Sequence, residues 1–97
     1  MKVELDGQTF DSKKEARRYV YLRQLQQIGE IKDLRHHQVF KLSVCDYEAD
    51  FTYYHAINGK WTFIVEDVKS SFTAKLPVYK LKKKLMLEEL KIYIKEV

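Results

Sequence analysis

Two acidic residues and one lysine stand at the ends of two apolar stretches of the chain. Asp50 ends one run of aromatic and apolar residues, and Asp67 ends another, with Lys69 two residues later. Carboxylates so placed can bind Mg²⁺, which proteins hold through one or two carboxylates together with substrate oxygens and water. A divalent cation beside a lysine is suited to activating water and neutralising charge on phosphate. The pattern therefore predicts a site for phosphodiester hydrolysis.

Strand geometry decides which of these side chains can act together. Side chains alternate along a strand, so Asp67 and Lys69 share one face while Glu66 faces the other. The alternative is an exposed Asp–Lys ion pair, which is worth only about 0–1 kcal/mol. The metal interpretation is favoured because acids at the ends of neighbouring buried strands, here Asp50 and Asp67, repel each other without a positive charge between them.

Glu15 is a third acid with two compatible interpretations. It falls on the inward stripe of a predicted helix, together with Tyr19 and Leu22, and from there it could reach the same metal. It also stands three residues after Ser12, as in a capping box, where the serine and the glutamate satisfy each other's backbone amides. The sequence leaves the choice between cap and metal ligand open.

The other polar candidates are Gln38, the histidines and the single cysteine. Gln38 lies on the same strand face as Phe40. It either faces the site, where it would orient water or phosphate, or is a hydrogen-bonded amide in the interior.

His36 and His37 are adjacent, so we expect them to face opposite sides and to form no common metal site. We expect His55 in an exposed turn. Because Cys45 and the histidines lack the paired spacing of zinc ligands, the sequence predicts no zinc site.

Hydrophobic periodicity and turn residues predict the elements that must position these groups. Asn58-Gly59 is a strong hairpin signal, and a crossover helix would place the last strand parallel to a neighbour. The predicted order is an extended lead-in at 3–10, a helix at 12–28, strands at 31–42, 47–54 and 61–69, a helix at 77–89 and a strand at 90–97. This pattern predicts a mixed sheet within one domain, residues 1–97.

The charge distribution indicates a polyanionic partner. The net charge is +4, and basic residues cluster on the two predicted helices, as expected for a protein that binds nucleic-acid phosphates. The alternative is a solvated helix face. The candidate phosphate-binding residues are Lys13, Lys14, Arg17, Arg18, Lys75, Lys80, Lys82 and Lys83, with Lys84 adjoining them.

Several classes of function are disfavoured. No glycine-rich phosphate loop and no serine nucleophile elbow is present. No segment reaches the roughly 18 apolar residues of a membrane span, and no apolar run follows Met1, so we expect no membrane contact, no signal peptide and a cytoplasmic location.

Four segments in order resemble the PD-(D/E)xK nuclease superfamily. They are Phe10-Asp11-Ser12-Lys13-Lys14-Glu15-Ala16, Gln38, Tyr47-Glu48-Ala49-Asp50-Phe51 and Val65-Glu66-Asp67-Val68-Lys69. The chain is most similar to short phage- and prophage-encoded proteins of that superfamily, which Thr73 and Tyr79-Lys80-Leu81-Lys82 also resemble. It is also similar to Holliday-junction resolvases and to endonuclease subunits of transposons. Ala49 stands where the motif's name has proline.

The resemblance implies a restriction-endonuclease-like α/β (α+β) core: a mixed four-stranded sheet flanked by helices, in the order αβββαβ. It implies a DNA endonuclease that uses Mg²⁺ or Mn²⁺ and leaves 5′-phosphate and 3′-hydroxyl ends. The implied metal ligands are Asp50, Asp67, Glu15 and Val68. Lys69 would be the catalytic lysine, and Gln38 would complete the catalytic set.

The partners expected from these observations are DNA and a second copy of the chain. A chain of 97 residues covers only a small patch of duplex, so we expect a homodimer or higher homo-oligomer whose paired sites suit a junction or branched DNA in phage recombination or replication. We expect no small-molecule cofactor beyond the metal, and a bacterial host cytoplasm if the protein is phage-encoded. The alternative function is a non-catalytic DNA-binding phage accessory protein that keeps the nuclease fold.

Overall fold

The computed structural model describes residues 2–97 as a mixed α/β fold. The elements are strands β1 (Val3–Leu5) and β2 (Gln8–Phe10), helix α1 (Lys13–Gln27), strands β3 (Ile31–Lys41), β4 (Asp46–Ile57) and β5 (Lys60–Asp67), a 3-10 turn (Thr73–Lys75), helix α2 (Pro77–Leu90) and strand β6 (Ile94–Glu96). The main sheet has the strand order β3-β4-β5-β6, and only the β5–β6 pair is parallel. The predicted mixed four-stranded sheet and the order αβββαβ are confirmed, and a β1–β2 hairpin precedes them.

Two predicted boundaries differ from the structure. β4 continues to Ile57, so His55 lies within a strand and is half-buried, and its prediction as an exposed turn residue was wrong. The last strand is shorter than predicted because α2 runs on to Leu90 and Lys91 adopts a left-handed conformation with φ of 60°. Such a residue is a common helix terminator, and it leaves only Ile94–Glu96 to pair with β5.

The two helices cover opposite faces of the main sheet. Successive residues of β5 show this: Ile64 packs against the cluster under α1, whereas Val65 belongs to the cluster under α2. The α1 cluster contains Phe10, Ala16, Tyr19, Leu22, Ile31, Phe51 and Tyr53. The α2 cluster contains Tyr47, Ala49, Val65, Tyr79, Met86 and Ile94. Neither helix of residues 2–97 is long and apolar enough to cross a membrane.

Strand β4 contributes to both clusters, and it changes from one to the other at Asp50. Ala49 packs under α2, whereas Phe51 packs under α1. The regular pairing of β4 with β5 also stops here, at the pair Phe51 and Glu66. Asp50 therefore lies where the two central strands part.

The start of α1 follows the predicted capping pattern in part. Ser12 Oγ accepts a hydrogen bond from the Glu15 amide at 3.1 Å, as predicted. In return, Glu15 Oε1 accepts a hydrogen bond from the amide of Asp11 at 3.0 Å. A capping box would use the amide of Ser12, one residue later. Glu15 is thus a helix-capping residue whose carboxylate is also buried over the sheet.

An ion pair joins α1 to β5. Arg18 donates two hydrogen bonds to the Glu66 carboxylate, at 2.8 and 2.7 Å, and the Tyr53 hydroxyl donates to the same group. Glu66 is fully buried, so it needs these partners. Arg18, predicted to bind phosphate, therefore has its guanidinium engaged inside the protein.

We expect Arg18→Ala to lower the free energy of unfolding by about 2–4 kcal/mol, because it leaves a buried carboxylate without its cation. The ammonium of Lys95, 3.9 Å from Glu66, offsets part of this loss. Arg17→Ala, which removes an exposed arginine one position earlier, should change stability by no more than about 0.5 kcal/mol. Urea unfolding of both variants tests this, and equal losses would contradict the structural role of Arg18.

Candidate active site

The carboxyl groups of Asp50 and Asp67 meet where β4 and β5 part. Asp50 Oδ2 accepts a hydrogen bond from the Val68 amide at 2.7 Å, which directs the Asp50 side chain towards the end of β5. The two carboxyl groups are near enough for each to shift the pKa of the other. Asp67 is almost fully buried. The structure therefore brings together the two aspartates that the sequence singled out.

Burial and proximity make it costly for both carboxyl groups to be charged. Burial, together with a hydrogen bond that protonated Asp67 donates to the Asp50 carboxylate, raises the pKa of Asp67 to about 7, against the opposing effects of Tyr47 and Lys69. The pKa of Asp50 is also raised, first by burial. A pair of this kind holds either a shared proton or a cation between its members at neutral pH.

Lys69 lies beside this pair, as predicted from strand parity. Its Nζ is 3.4 Å from Asp67 Oδ2 and lies 4.3 Å from the centre of the Tyr79 ring. Its main-chain carbonyl accepts a hydrogen bond from Lys14 Nζ at 2.6 Å. One positive charge, that of Lys69, therefore lies beside the carboxylate pair, and a second, that of Lys14, is held at the main chain of the same segment.

Tyr47 is a site residue that sequence reasoning missed. Its hydroxyl donates a hydrogen bond to Asp67 Oδ2 at 2.5 Å. Burial raises the pKa of Tyr47 far above its usual value, so the hydroxyl stays a neutral donor. A buried tyrosine generally needs a partner for its hydroxyl, which was the available signal, but the sequence does not show which acid accepts it.

Glu15 lies next to Asp50 and also next to two histidines. The Asp50 pKa is raised in part by the Glu15 carboxyl, which places the two groups together. Glu15 Oε1 is 3.7 Å from His36 Nε2, and Glu15 Oε2 is 3.5 Å from His37 Nε2. Glu15 therefore sits between the aspartate pair and the histidines.

The prediction that His36 and His37 face opposite sides was wrong. His37 has a φ of 60°, a left-handed conformation that breaks the alternation of an extended strand. As a result the two rings lie side by side with centroids 3.6 Å apart. Burial and the neighbouring His37 lower the pKa of His36 to about 4, so His36 is neutral at pH 7.

The three carboxylates provide the oxygen donors that Mg²⁺ prefers. Asp50 interacts with both Asp67 and Glu15, since each shifts its pKa. Within residues 2–97, however, one oxygen from each of the three does not come within 4.8 Å of the others, whereas Glu15 meets His36 and His37 in that way. Val68, the fourth implied ligand, packs its side chain against the α1 cluster and gives its amide to Asp50, so only its carbonyl oxygen is left to bind a metal. The oxygen donors and the raised pKa values of Asp50 and Asp67 fit a hard divalent cation at this pair.

Gln38 is placed away from this site. Its Oε1 accepts a hydrogen bond from Thr52 Oγ1 at 2.5 Å. It lines a separate cavity together with Arg35, Tyr54 and Phe63. Asp50, Asp67 and Lys69 do not line that cavity. The structure therefore shows a hydrogen-bonded amide, as in the alternative interpretation, but at a half-buried position rather than in the interior.

A cleft of about 320 Å³ opens over Asp67 and Lys69. Tyr47 and Tyr79 line it, and Lys82 from α2 stands on its wall. A groove of about 400 Å³, on the side of α1, is lined by Lys14, Arg17, Arg18, Tyr21, Val68 and Val97. The segment that carries Lys69 therefore has basic side chains of both helices beside it.

Not all of the predicted phosphate-binding residues are free for that role. Lys83 pairs with Glu96 at 3.0 Å, and Arg18 is engaged by Glu66. Within residues 2–97, six of the predicted cations make no ion pair: Lys13, Lys14, Arg17, Lys75, Lys80 and Lys82. These six, of which Lys14 donates to the Lys69 carbonyl, are the positive charges that a polyanion could reach.

Comparison with known families places the chain in one of them. Residues 1–95 match the family described as "Protein of unknown function (DUF1064)". The chain belongs to the DUF1064 family. Neither the curated proteins nor the solved structures contain a match to it. The function of this DUF1064 chain must therefore be argued from the site itself.

The raised pKa of Asp67 predicts how the stability of the fold depends on pH. The folded DUF1064 chain holds a proton on Asp67 up to about pH 7, whereas the unfolded chain loses it near the ordinary value of 3.8. Because the folded state binds more protons in this range, the free energy of unfolding should fall as the pH rises from about 4 to about 7. The loss should amount to about 2–4 kcal/mol in the absence of divalent cations.

Urea unfolding in EDTA between pH 4.5 and pH 8 measures this loss. Asp67→Asn removes the titrating group while keeping an acceptor for Tyr47, so its stability should depend less on pH than that of the wild type. Parallel curves for the two proteins would show that Asp67 keeps an ordinary pKa.

Proposed function

We propose that this protein is a metal-dependent DNA endonuclease that hydrolyses phosphodiester bonds. The observation that carries the proposal is the meeting of Asp50, Asp67 and Lys69 at the point where two central strands part, beneath a cleft with Lys82 on its wall. The resemblance to the PD-(D/E)xK superfamily rests on the same three residues and supports it. A restriction-endonuclease-like core is part of this proposal.

Asp50 and Asp67 would hold Mg²⁺ or Mn²⁺, with Glu15 and the Val68 carbonyl as the further candidates for ligands. When bound, such an ion supplies Lewis acidity and a water of lowered pKa. The protein has already positioned its ligands: Tyr47 holds Asp67, and the Val68 amide holds Asp50. Groups held in this way need little reordering when the substrate arrives.

Lys69 would act on the phosphate. Its ammonium lies beside Asp67, where the reacting phosphodiester must come if it is to meet the carboxylate-bound ion. A fixed positive charge at that position stabilises the negative charge that grows on phosphate during hydrolysis. The Tyr79 ring, beneath the ammonium, limits the positions that Lys69 can take.

Binding of DNA would rely on its backbone. Six accessible cations lie on α1, α2 and the segment before α2, and three of them, Lys14, Arg17 and Lys82, line the cavities beside the candidate site. Contacts from such side chains position phosphates without reading bases. A single copy of this small chain can contact only a short stretch of DNA, so a homodimer with two sites is part of the proposal. Two sites would suit junction or branched DNA. The bacterial cytoplasm is the expected location.

A cleavage assay tests the proposal directly. Purified protein is incubated with supercoiled plasmid, linear duplex and four-way-junction DNA, each with Mg²⁺, Mn²⁺ or EDTA. We expect nicking or cleavage only with a divalent cation, and ends that DNA ligase can rejoin. If the protein binds DNA but cleaves none of the substrates with any metal, the proposal that it is a nuclease is refuted.

The same structure supports one alternative, a non-catalytic DNA-binding protein that keeps the fold. The observation in its favour is the pair Asp50 and Asp67, which can be buried without a cation if the two carboxyl groups share one proton. This alternative predicts a gel shift in EDTA that weakens with salt, and no cleavage with any metal.

A further inference from the structure

Glu15, His36 and His37 present ligand atoms to one small volume on the α1 side of the sheet. One carboxylate oxygen and one ring nitrogen from each histidine all lie within 4.8 Å of one another. The two Glu15–histidine separations involve different carboxylate oxygens, 3.7 Å from Oε1 to His36 Nε2 and 3.5 Å from Oε2 to His37 Nε2. Both are somewhat longer than the roughly 3.3–3.4 Å between two ligands of a tetrahedral ion with bonds of about 2.0–2.1 Å. A small inward movement of these side chains would bring their ligand atoms to that spacing.

His36 provides a second observation that points to a ligand. Its side chain is 8% exposed, and its Nε2 has no hydrogen-bond partner within residues 2–97. At 3.7 Å the Glu15 oxygen is too distant for a hydrogen bond, and buried polar atoms are rarely left without a partner. An ion between the two groups would satisfy both.

Neighbouring residues hold the two rings in place. Phe10 and Phe51 lie against the His36 ring, with centroid separations of 4.4 and 5.3 Å. His37 Nδ1 is 3.7 Å from Glu48 Oε1, an arrangement in which the far side of a metal-binding imidazole faces a carboxylate. The left-handed backbone of His37 is the strained feature that brings its ring to this side.

We propose that Glu15, His36 and His37 bind a first-row transition-metal ion, with Zn²⁺ the preferred occupant. Two imidazoles and one carboxylate favour such ions over Mg²⁺, which selects oxygen donors. Three protein ligands leave a coordination position open to water or substrate. This site is separate in donor chemistry from the aspartate pair, although Glu15 adjoins both. The inference does not rest on the proposed nuclease activity, since it holds whether or not the protein cleaves DNA.

Metal titration at pH 7.5 tests the inference on the full chain. Metal-free protein is titrated with Zn²⁺ by calorimetry and with Co²⁺ by visible absorption, which reports nitrogen and oxygen ligands directly. We expect one equivalent to bind. We expect His37→Asn to weaken binding at least about 100-fold, because loss of even an outer-shell partner costs about 10–100-fold. Asparagine is chosen because it tolerates the left-handed conformation at this position.

His55→Asn is the matched control, because the His55 side chain is 33% exposed against 32% for His37 and also lies near a glutamate. It should bind Zn²⁺ like the wild type. Asp67→Asn should also keep Zn²⁺ binding while losing Mg²⁺-dependent cleavage, which separates this site from the proposed nuclease centre. Equal loss of Zn²⁺ binding in Asp67→Asn would place the ion at the aspartates and overturn the proposal.

A measurement on the wild type alone keeps the test valid if His37→Asn does not fold. Zn²⁺ should shift the ring nitrogen resonances of His36 and His37, and leave those of His55 unchanged. Absence of Zn²⁺ binding, or binding that leaves both ring resonances unchanged, would overturn the proposal.

Discussion

Asp67→Asn is expected to lower metal-dependent DNA cleavage by at least about a thousandfold, because a carboxylate-held ion contributes several kcal/mol of transition-state stabilisation and each 1.4 kcal/mol is a factor of ten. The change removes one charge and retains the acceptor for Tyr47, so the fold should be preserved. DNA binding in EDTA should be unchanged or slightly stronger, since a negative charge near the phosphates is lost. Single-turnover cleavage and gel shifts of the two proteins measure both quantities.

Asp46→Asn is the matched control for this substitution. Asp46 also belongs to the main sheet and contacts a lysine, Lys41, at 3.1 Å, but both side chains are exposed. Cleavage by this variant should equal that of the wild type. Full activity in Asp67→Asn would show that the aspartate pair is not the catalytic centre.

Lys69→Met is expected to lower the cleavage rate by about 10²–10³-fold, the usual cost of removing one preorganised group that stabilises developing charge. Methionine keeps an unbranched apolar stem that can pack beside the Tyr79 ring, but it removes the ammonium that lies over that ring, so the change is mainly one of charge. The rate should fall at saturating enzyme, where weaker DNA binding no longer affects the measurement.

Lys41→Met removes the lysine of the exposed Asp–Lys pair and should leave the rate unchanged. If Lys69 only bound DNA, Lys69→Met would give a different result. Its cleavage rate at saturating enzyme would equal that of the wild type, and only its affinity for DNA and the salt dependence of that affinity would fall. That outcome would make Lys69 a phosphate contact and would leave catalysis to the carboxylates.

Local patterns predicted much of the candidate site. The period of two along a strand placed Asp67 and Lys69 together and Glu66 opposite, and the structure has Asp67 beside Lys69 while Glu66 contacts Arg18 under α1. The Ser12 cap was likewise predictable, because it depends on residues within one turn of each other. Contacts between residues only a few positions apart can be predicted from local sequence patterns.

Other features depend on backbone conformations that side-chain types do not specify. The position of His37 follows from a single left-handed residue, which reversed the expected separation of the two histidines. Histidine, like asparagine and aspartate, is enriched at positive φ, but most histidines adopt ordinary conformations, so the residue type alone did not predict this backbone. The prediction of no zinc site rested on the spacing of Cys45 and the histidines, and it did not consider Glu15, which the structure places beside His36 and His37.

By itself, the sequence determined the order of the elements, the mixed sheet and the residues of β5 that share a face, since each follows from short-range periodicity and turn chemistry. Only the tertiary structure decided which partners these residues meet. Arg18 faces Glu66 rather than solvent, Gln38 meets Thr52, and Glu15 adjoins both an aspartate and two imidazoles. The physical reason is that such partners come from elements distant in sequence, and the packing of helices on the sheet selects among them.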